Sequence, residues 1–158
     1  MRREGLCRRR EPPMLDRLRL TGEAKADLMS NLSCFCVYTM RHSADLDAHM
    51  NTSGPHLLRE RKAWVTGCTL WEQARRAAEL MPVVFSGAED ATGLIYWAII
   101  DDIRIDEIIR TTTCTYSDLK PISPARPKSS LRLKTGNRPL SENSIRPYAI
   151  CYTPAFLT

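Results

Sequence analysis

From Pro82 to the C-terminus the chain is a succession of short β-type runs cut by turn formers, and this spacing restricts it to sheet-based folds. Val83 to Ser86 is a short apolar run, and Gly87 to Gly93 (GAEDATG) has a glycine at each end, as a turn between strands requires. Leu94 to Asp106 reads as a long strand. It is apolar on both faces at first and then alternates, with Ile103 and Ile105 inward and Arg104 and Asp106 outward. Thr111 to Tyr116 is β-branched and aromatic. Pro121, Pro124 and Pro127 mark a loop, Leu131 and Leu133 alternate with basic residues before a Thr135-Gly136-Asn137 turn, and Tyr148 to Tyr152 forms the last run.

Upstream, Asn31 to Met40 also reads as a strand. Leu32, Cys34, Cys36, Tyr38 and Met40 share one face, and Phe35 and Val37 the other, which places it inside a sheet. Thr69 to Met81 has helical spacing. Thr69 and Glu72 are spaced as a capping box, Leu70, Ala74, Ala77 and Met81 form an apolar stripe, and Pro82 stops the helix. Gly22 to Ser30 is a second, shorter helix candidate. Residues 41–62 show no stable period and read as a long polar loop, a place to look for function. The expected fold is α+β: a small, partly open β-barrel of five or six strands with one or two helices.

With 158 residues the chain suits one core. Residues 1–20 read as a disordered basic tail, with Met14 or Met29 as alternative starts, and residues 21–158 as a single domain. The basic start lacks the apolar stretch of a secretory signal, and no run approaches the roughly 20 residues of a membrane helix. The expectation is a cytoplasmic protein without a membrane partner. Its six cysteines form no C-x-x-C pair, so reduced thiols are expected rather than a zinc site.

Charge is unevenly distributed. Residues 21–118 carry nine basic and fourteen acidic side chains, and residues 119–158 carry seven basic and one acidic. A basic segment of this kind attracts phosphate backbones.

Signature motifs of the common enzymes are missing: there is no G-x-G-x-x-G, Walker loop, G-x-S-x-G elbow or H-E-x-x-H. No cofactor is implied, and an enzyme is the less favoured reading. Its best form uses His42, His49 and His56 with Asp45 and Asp47 as a metal or hydrolytic site, or Cys34 or Cys36 with His42 as a nucleophile pair. Polar loops collect such residues simply because they are wet.

Aromatic residues near predicted strand ends offer another lead: Trp64, Trp71, Phe85, Tyr96, Trp97, Tyr116 and Tyr148. A flat ring with polar neighbours can hold a splayed-out base, and core packing is the competing reading of each ring. Tyr96 and Trp97 point to opposite faces of one strand, so they cannot share a pocket.

Residues 81–106 (MPVVFSGAEDATGLIYWAIIDDIRID) and 145–157 (IRPYAICYTPAFL) resemble the centre and end of small PUA-like barrels of the EVE and ASCH kind. The G-x-K-x-x-E-x-R signature of ASCH domains is not matched. Its nearest string, Gly54 to Arg61, has His56 and Arg59 where lysine and glutamate are required, so no catalytic role carries over. The resemblance implies a cleft that recognises RNA, DNA or a modified nucleobase. The candidate site residues are Arg41, Trp64, Thr66, Phe85, Trp97 and Arg146: aromatics to stack, arginines and threonine to read polar edges or phosphate. A small hydrolase built on the His/Asp segment and a protein-interaction module are the alternatives.

Overall fold

A computed structural model describes residues 31–141 and 148–157. The basic tail, the helix expected at Gly22 to Ser30 and the candidate Arg146 lie outside the described residues. The described chain forms one six-stranded mixed sheet with two α-helices, an α+β fold. In chain order the elements are β1 (Phe35–Arg41), α1 (Ser43–Met50), β2 (His56–Glu60), α2 (Val65–Arg76), β3 (Pro82–Gly87), β4 (Ile95–Asp106), β5 (Thr111–Pro121), a 3-10 turn (Lys128–Ser130) and β6 (Tyr148–Tyr152).

The strands lie in the order β2-β5-β4-β3-β1-β6. Only β1 and β3 run parallel, with α1, β2 and α2 between them as the crossover connection that parallel strands need. The β4–β5 ladder slips register between Trp97 and Ile99 and between Ile100 and Asp102. Such bulges bend a sheet and reset its side-chain parity. After the second slip Ile103 and Ile105 join the same core as Ala98 and Ile100.

Two cores result, one on each face. The first gathers Val37, Val83, Phe85, Ile100, Ile103, Cys114 and Tyr116 beneath Trp64, Cys68 and Trp71 of the α2 region and Leu46 of α1. The second gathers Cys36, Tyr38, Val84, Ile95, Trp97 and Cys151, and is covered by Ile122, Leu131, Leu140 and Leu157 from the C-terminal segments. The two-faced reading of residues 31–40 is correct: Cys36 and Tyr38 enter one core and Val37 the other. Among the described residues, no helix is long and apolar enough to cross a membrane. Cys34, Cys36, Cys114 and Cys151 are free thiols, and all but Cys34 are buried.

Two local expectations are also corrected. Residues 41–62 are not one long loop, because α1 and β2 occupy most of them. Leu46 is the one fully buried residue of α1, so its apolar period is too sparse to read. The N-terminus of α1 is satisfied from a distance: Glu89, in the β3–β4 turn, accepts the Ser43 amide at 2.9 Å.

The second correction is to α2, which spans Val65–Arg76 rather than Thr69 to Met81. Thr69 is therefore inside the helix, its hydroxyl donating to the Val65 carbonyl at 3.1 Å instead of capping. The helix ends in a Schellman arrangement. Ala78 takes φ 58, its amide bonds the Arg75 carbonyl at 3.0 Å, and the Glu79 amide bonds Ala74 at 2.8 Å. Ala77 is accordingly exposed and Met81 lies outside the helix. Replacing Thr69 by alanine removes no cap and improves helix propensity, so Thr69→Ala should be neutral or stabilise by up to about 0.5 kcal/mol. A urea melt showing a loss of about 1 kcal/mol or more would restore the capping-box register.

Candidate nucleic-acid interface

The start of α2 is built by long-range contacts. Thr112, on β5, places its hydroxyl between two backbone groups: it accepts the Trp64 amide at 2.8 Å and donates to the Lys62 carbonyl at 2.6 Å. The Trp64 indole is fully buried and lies parallel to Tyr148 of β6, with centroids 5.0 Å apart and an interplanar angle of 6°. No side chain caps α2 locally. Instead the Gly67 amide donates to the Tyr148 hydroxyl at 2.9 Å. A Cβ on Gly67 would sit 3.1 Å from that oxygen and 3.3 Å from Val37 Cγ2, so glycine is what permits the approach. Burial pushes the Tyr148 hydroxyl up to about 12, and the ring stays neutral at ordinary pH.

A cleft of about 680 Å³ opens beside this junction. Tyr148, Ala149 and Ile150 of β6 and Leu133 supply apolar wall, Thr66 and Thr135 supply hydroxyls, and Lys62 and Lys134 supply charge. Lys134 is held there by its amide, which donates to the Ile150 carbonyl at 2.9 Å. Its ammonium lies 5.2 Å from the Phe35 ring centroid. No acidic residue lines this cleft among the described residues. A second cleft of about 440 Å³ is lined by Glu60, Arg61, Lys62, Ala63 and Arg110. Partial burial raises the Glu60 carboxyl above its ordinary range, with Arg41 opposing.

The six candidate residues do not converge on one pocket. Thr66 lines the larger cleft, and Trp64 is buried behind it against Tyr148. Arg41 is elsewhere, bonded to Asp45 at 3.2 Å and to the Leu57 carbonyl at 3.3 Å. Phe85 is fully buried in the first core, tilted on Tyr116 at 4.9 Å, and Trp97 is fully buried in the second, beneath the Lys120 ammonium at 4.5 Å. Two buried rings on opposite faces of a sheet cannot form one base platform. Sequence reasoning missed Lys62 and Lys134 as site residues and passed over Tyr148 when choosing among the aromatics. The last basic segment already held Lys134, but its pairing with Lys62 depends on β6 lying beside β1.

The three histidines separate into two places. His42 Nδ1 pairs with Glu89 at 2.5 Å. His49 and His56 stack at 4.0 Å and 5°, and His49 Nδ1 is hydrogen-bonded to the Tyr116 hydroxyl at 2.7 Å, a hydroxyl that burial pushes up to about 12 and keeps protonated. Among the described residues, no group of three or more His, Cys, Asp or Glu side chains could hold a metal ion. Cys36 is fully buried and its thiol is raised well above its ordinary value by burial. It lies roughly 20 Å along extended chain from His42, too far for a nucleophile–base pair.

This arrangement fixes a pH dependence. Burial, then His56 and Arg41, lower the His49 pKa below 6.5. The unfolded chain therefore takes up this proton first, and stability present above pH 6.5 is lost as pH falls toward the lowered folded value. His42 has the opposite sign. Glu89 raises its pKa, so its contribution is complete at and below pH 6.5 and is lost as pH rises through the raised value. Thermal melts should show His49→Gln flattening the slope below pH 6.5, and His42→Gln flattening it only above pH 6.5. Identical profiles for both variants and the parent would remove these side chains from the balance.

No family model, no characterised protein and no solved structure matches this chain.

Proposed function

We propose that this chain is a nucleic-acid-binding module of PUA-like architecture, which holds RNA, DNA or a modified nucleobase in the cleft between β6, residues 133–135 and the start of α2. The observation that carries this reading is the lining of that cleft: Lys62 and Lys134 with Tyr148, Ile150 and Leu133, and no carboxylate among the described residues. Two ammonium groups suit phosphate oxygens, an apolar wall suits the face of a base, and Thr66 and Thr135 can meet polar edges. The open mixed sheet is compatible with a partly open barrel.

Fluorescence anisotropy with a single-stranded RNA oligomer tests the reading. Binding should weaken with salt, and Lys62→Glu and Lys134→Glu should each weaken it about tenfold or more. Alanine variants should each reduce the salt slope by about 0.7, the single-strand value per phosphate contact. Both lysines belong to exposed or half-buried chain, so the variants should melt like the parent. The reading fails if no RNA, DNA or nucleoside binds at low salt and millimolar concentration, or if both reversals bind like the parent.

One feature favours the interaction-module reading instead. Ile108 and Ile109, in the β4–β5 turn, are 92% and 64% exposed. If they meet a protein partner, Ile108→Ser should weaken that association without touching RNA affinity.

A further inference from the structure

Lys62 lines both clefts. On one side of it Lys134 faces the apolar wall of Tyr148 and Ile150, and on the other stand Arg61 and Arg110. The topology explains this neighbourhood. Glu60 pairs with Thr112, so the chain leaving β2 through Arg61 and Lys62 runs beside the chain that enters β5 from Arg110. Residues from three separate stretches thus form a row of cations: Lys134, then Lys62, then Arg61 with Arg110. Arg61, Lys62, Arg110 and Lys134 are all at or near the surface, and Lys134 is anchored through its own backbone. Among the described residues, Glu60 is the one acidic residue lining either cleft, and it is half-buried rather than presented at the surface.

A single nucleobase or mononucleotide needs one cleft and at most one phosphate station. Cations continued beyond Lys62 into a second cleft have the chemistry of a repeating polyanion. From this juxtaposition we infer that the ligand is a single-stranded polynucleotide, seated with one nucleotide against Tyr148 and its neighbouring phosphates running past Lys62 to Arg61 and Arg110. The inference rests on the cleft reading above and adds the polymer, its path and the second cleft. The larger cleft supplies the apolar contact for a base, and the smaller supplies only charge and backbone contact, so length should matter more than sequence.

The probes are uridine monophosphate and oligouridylates of three and six nucleotides, titrated against the full chain at low salt. Affinity should rise about tenfold or more from monophosphate to hexamer, as added phosphates reach the second cleft. Arg110→Ala should weaken the hexamer about threefold or more, lower its salt slope, and leave uridine monophosphate unchanged. Lys134→Ala should weaken both. Arg110 is exposed in the turn leading into β5, and a melt equal to the parent's confirms that the variant is folded. Equal affinity for monophosphate and hexamer, with Arg110→Ala silent, overturns the path while the larger cleft stands. Absence of binding by every probe overturns the cleft reading itself. Displacement of the hexamer by polyglutamate at equal charge concentration overturns the polynucleotide assignment, since any polyanion would then serve.

Discussion

Trp97→Ala should lower the stability of this protein by about 3–5 kcal/mol, the usual result of emptying a buried aromatic site. The ring is 1% exposed, packed in the second core among Tyr38, Val84 and Leu131, with the Lys120 ammonium over its face. For a domain of this size the melting temperature should fall by about 10 °C or more. The folded fraction should still bind RNA like the parent, because the larger cleft is walled by β6 and residues 133–135 and not by Trp97. Urea unfolding combined with anisotropy separates the two effects. A stable variant that has lost RNA affinity would make Trp97 a base platform after all, and a stable variant with unchanged affinity would mean the second core is not packed as described.

Thr112→Val should be the most damaging change among those that barely alter side-chain volume. The hydroxyl is buried and serves two backbone groups at once, the Trp64 amide and the Lys62 carbonyl. Valine fills the space and pairs with neither. Leaving the buried Trp64 donor unsatisfied costs about 1–3 kcal/mol and the part-buried Lys62 acceptor up to about 1 more, so a loss of about 1–4 kcal/mol is expected. Thr112→Ser keeps the oxygen and should recover most of it. Equilibrium denaturation of the pair decides the matter: equal stability of Val and Ser variants would mean that the hydroxyl is not what holds the start of α2. Lys62 shares this hinge, so the valine variant should also bind RNA more weakly than its serine counterpart.

Period-two patterns were the legible part of this fold. The long strand ending at Asp106, with Ile103 and Ile105 buried, is visible in the residues because alternation survives wherever one face meets water. The opposed placement of Tyr96 and Trp97 follows from the same rule. What could not be read were ends and caps made by distant chain. Thr69 and Glu72 have capping-box spacing, yet Trp64, fixed by Thr112, starts the helix a turn earlier. Nothing local announces α1, since its first amide is met by Glu89, forty-six positions away. The site was hidden for the same reason. Lys62 and Lys134 are unremarkable basic residues until Tyr148 docks against Trp64 and brings β6 beside the start of α2. Burial, too, decided between aromatics of similar sequence context: Phe85 and Trp97 went to the two cores, while Tyr96 and Tyr148 remained partly open, and of these Tyr148 lines the larger cleft.

The pairing of β6 with β1 has a consequence for how the chain is made. Phe35 lies opposite Tyr152, and the Gly67 amide waits for a tyrosine hydroxyl eighty-one residues later. During synthesis, β1 and α2 therefore leave the ribosome long before the strand that completes them. In that interval β1 presents an unpaired edge beyond β3, Trp64 lacks the ring that covers it, and the wall of the larger cleft does not yet exist. Contacts of such sequence separation form late, and an uncovered strand edge invites pairing with other nascent chains. Native structure must be gained only once β6 has emerged, in a step that closes the sheet, seats the helix and completes the wall of the larger cleft together.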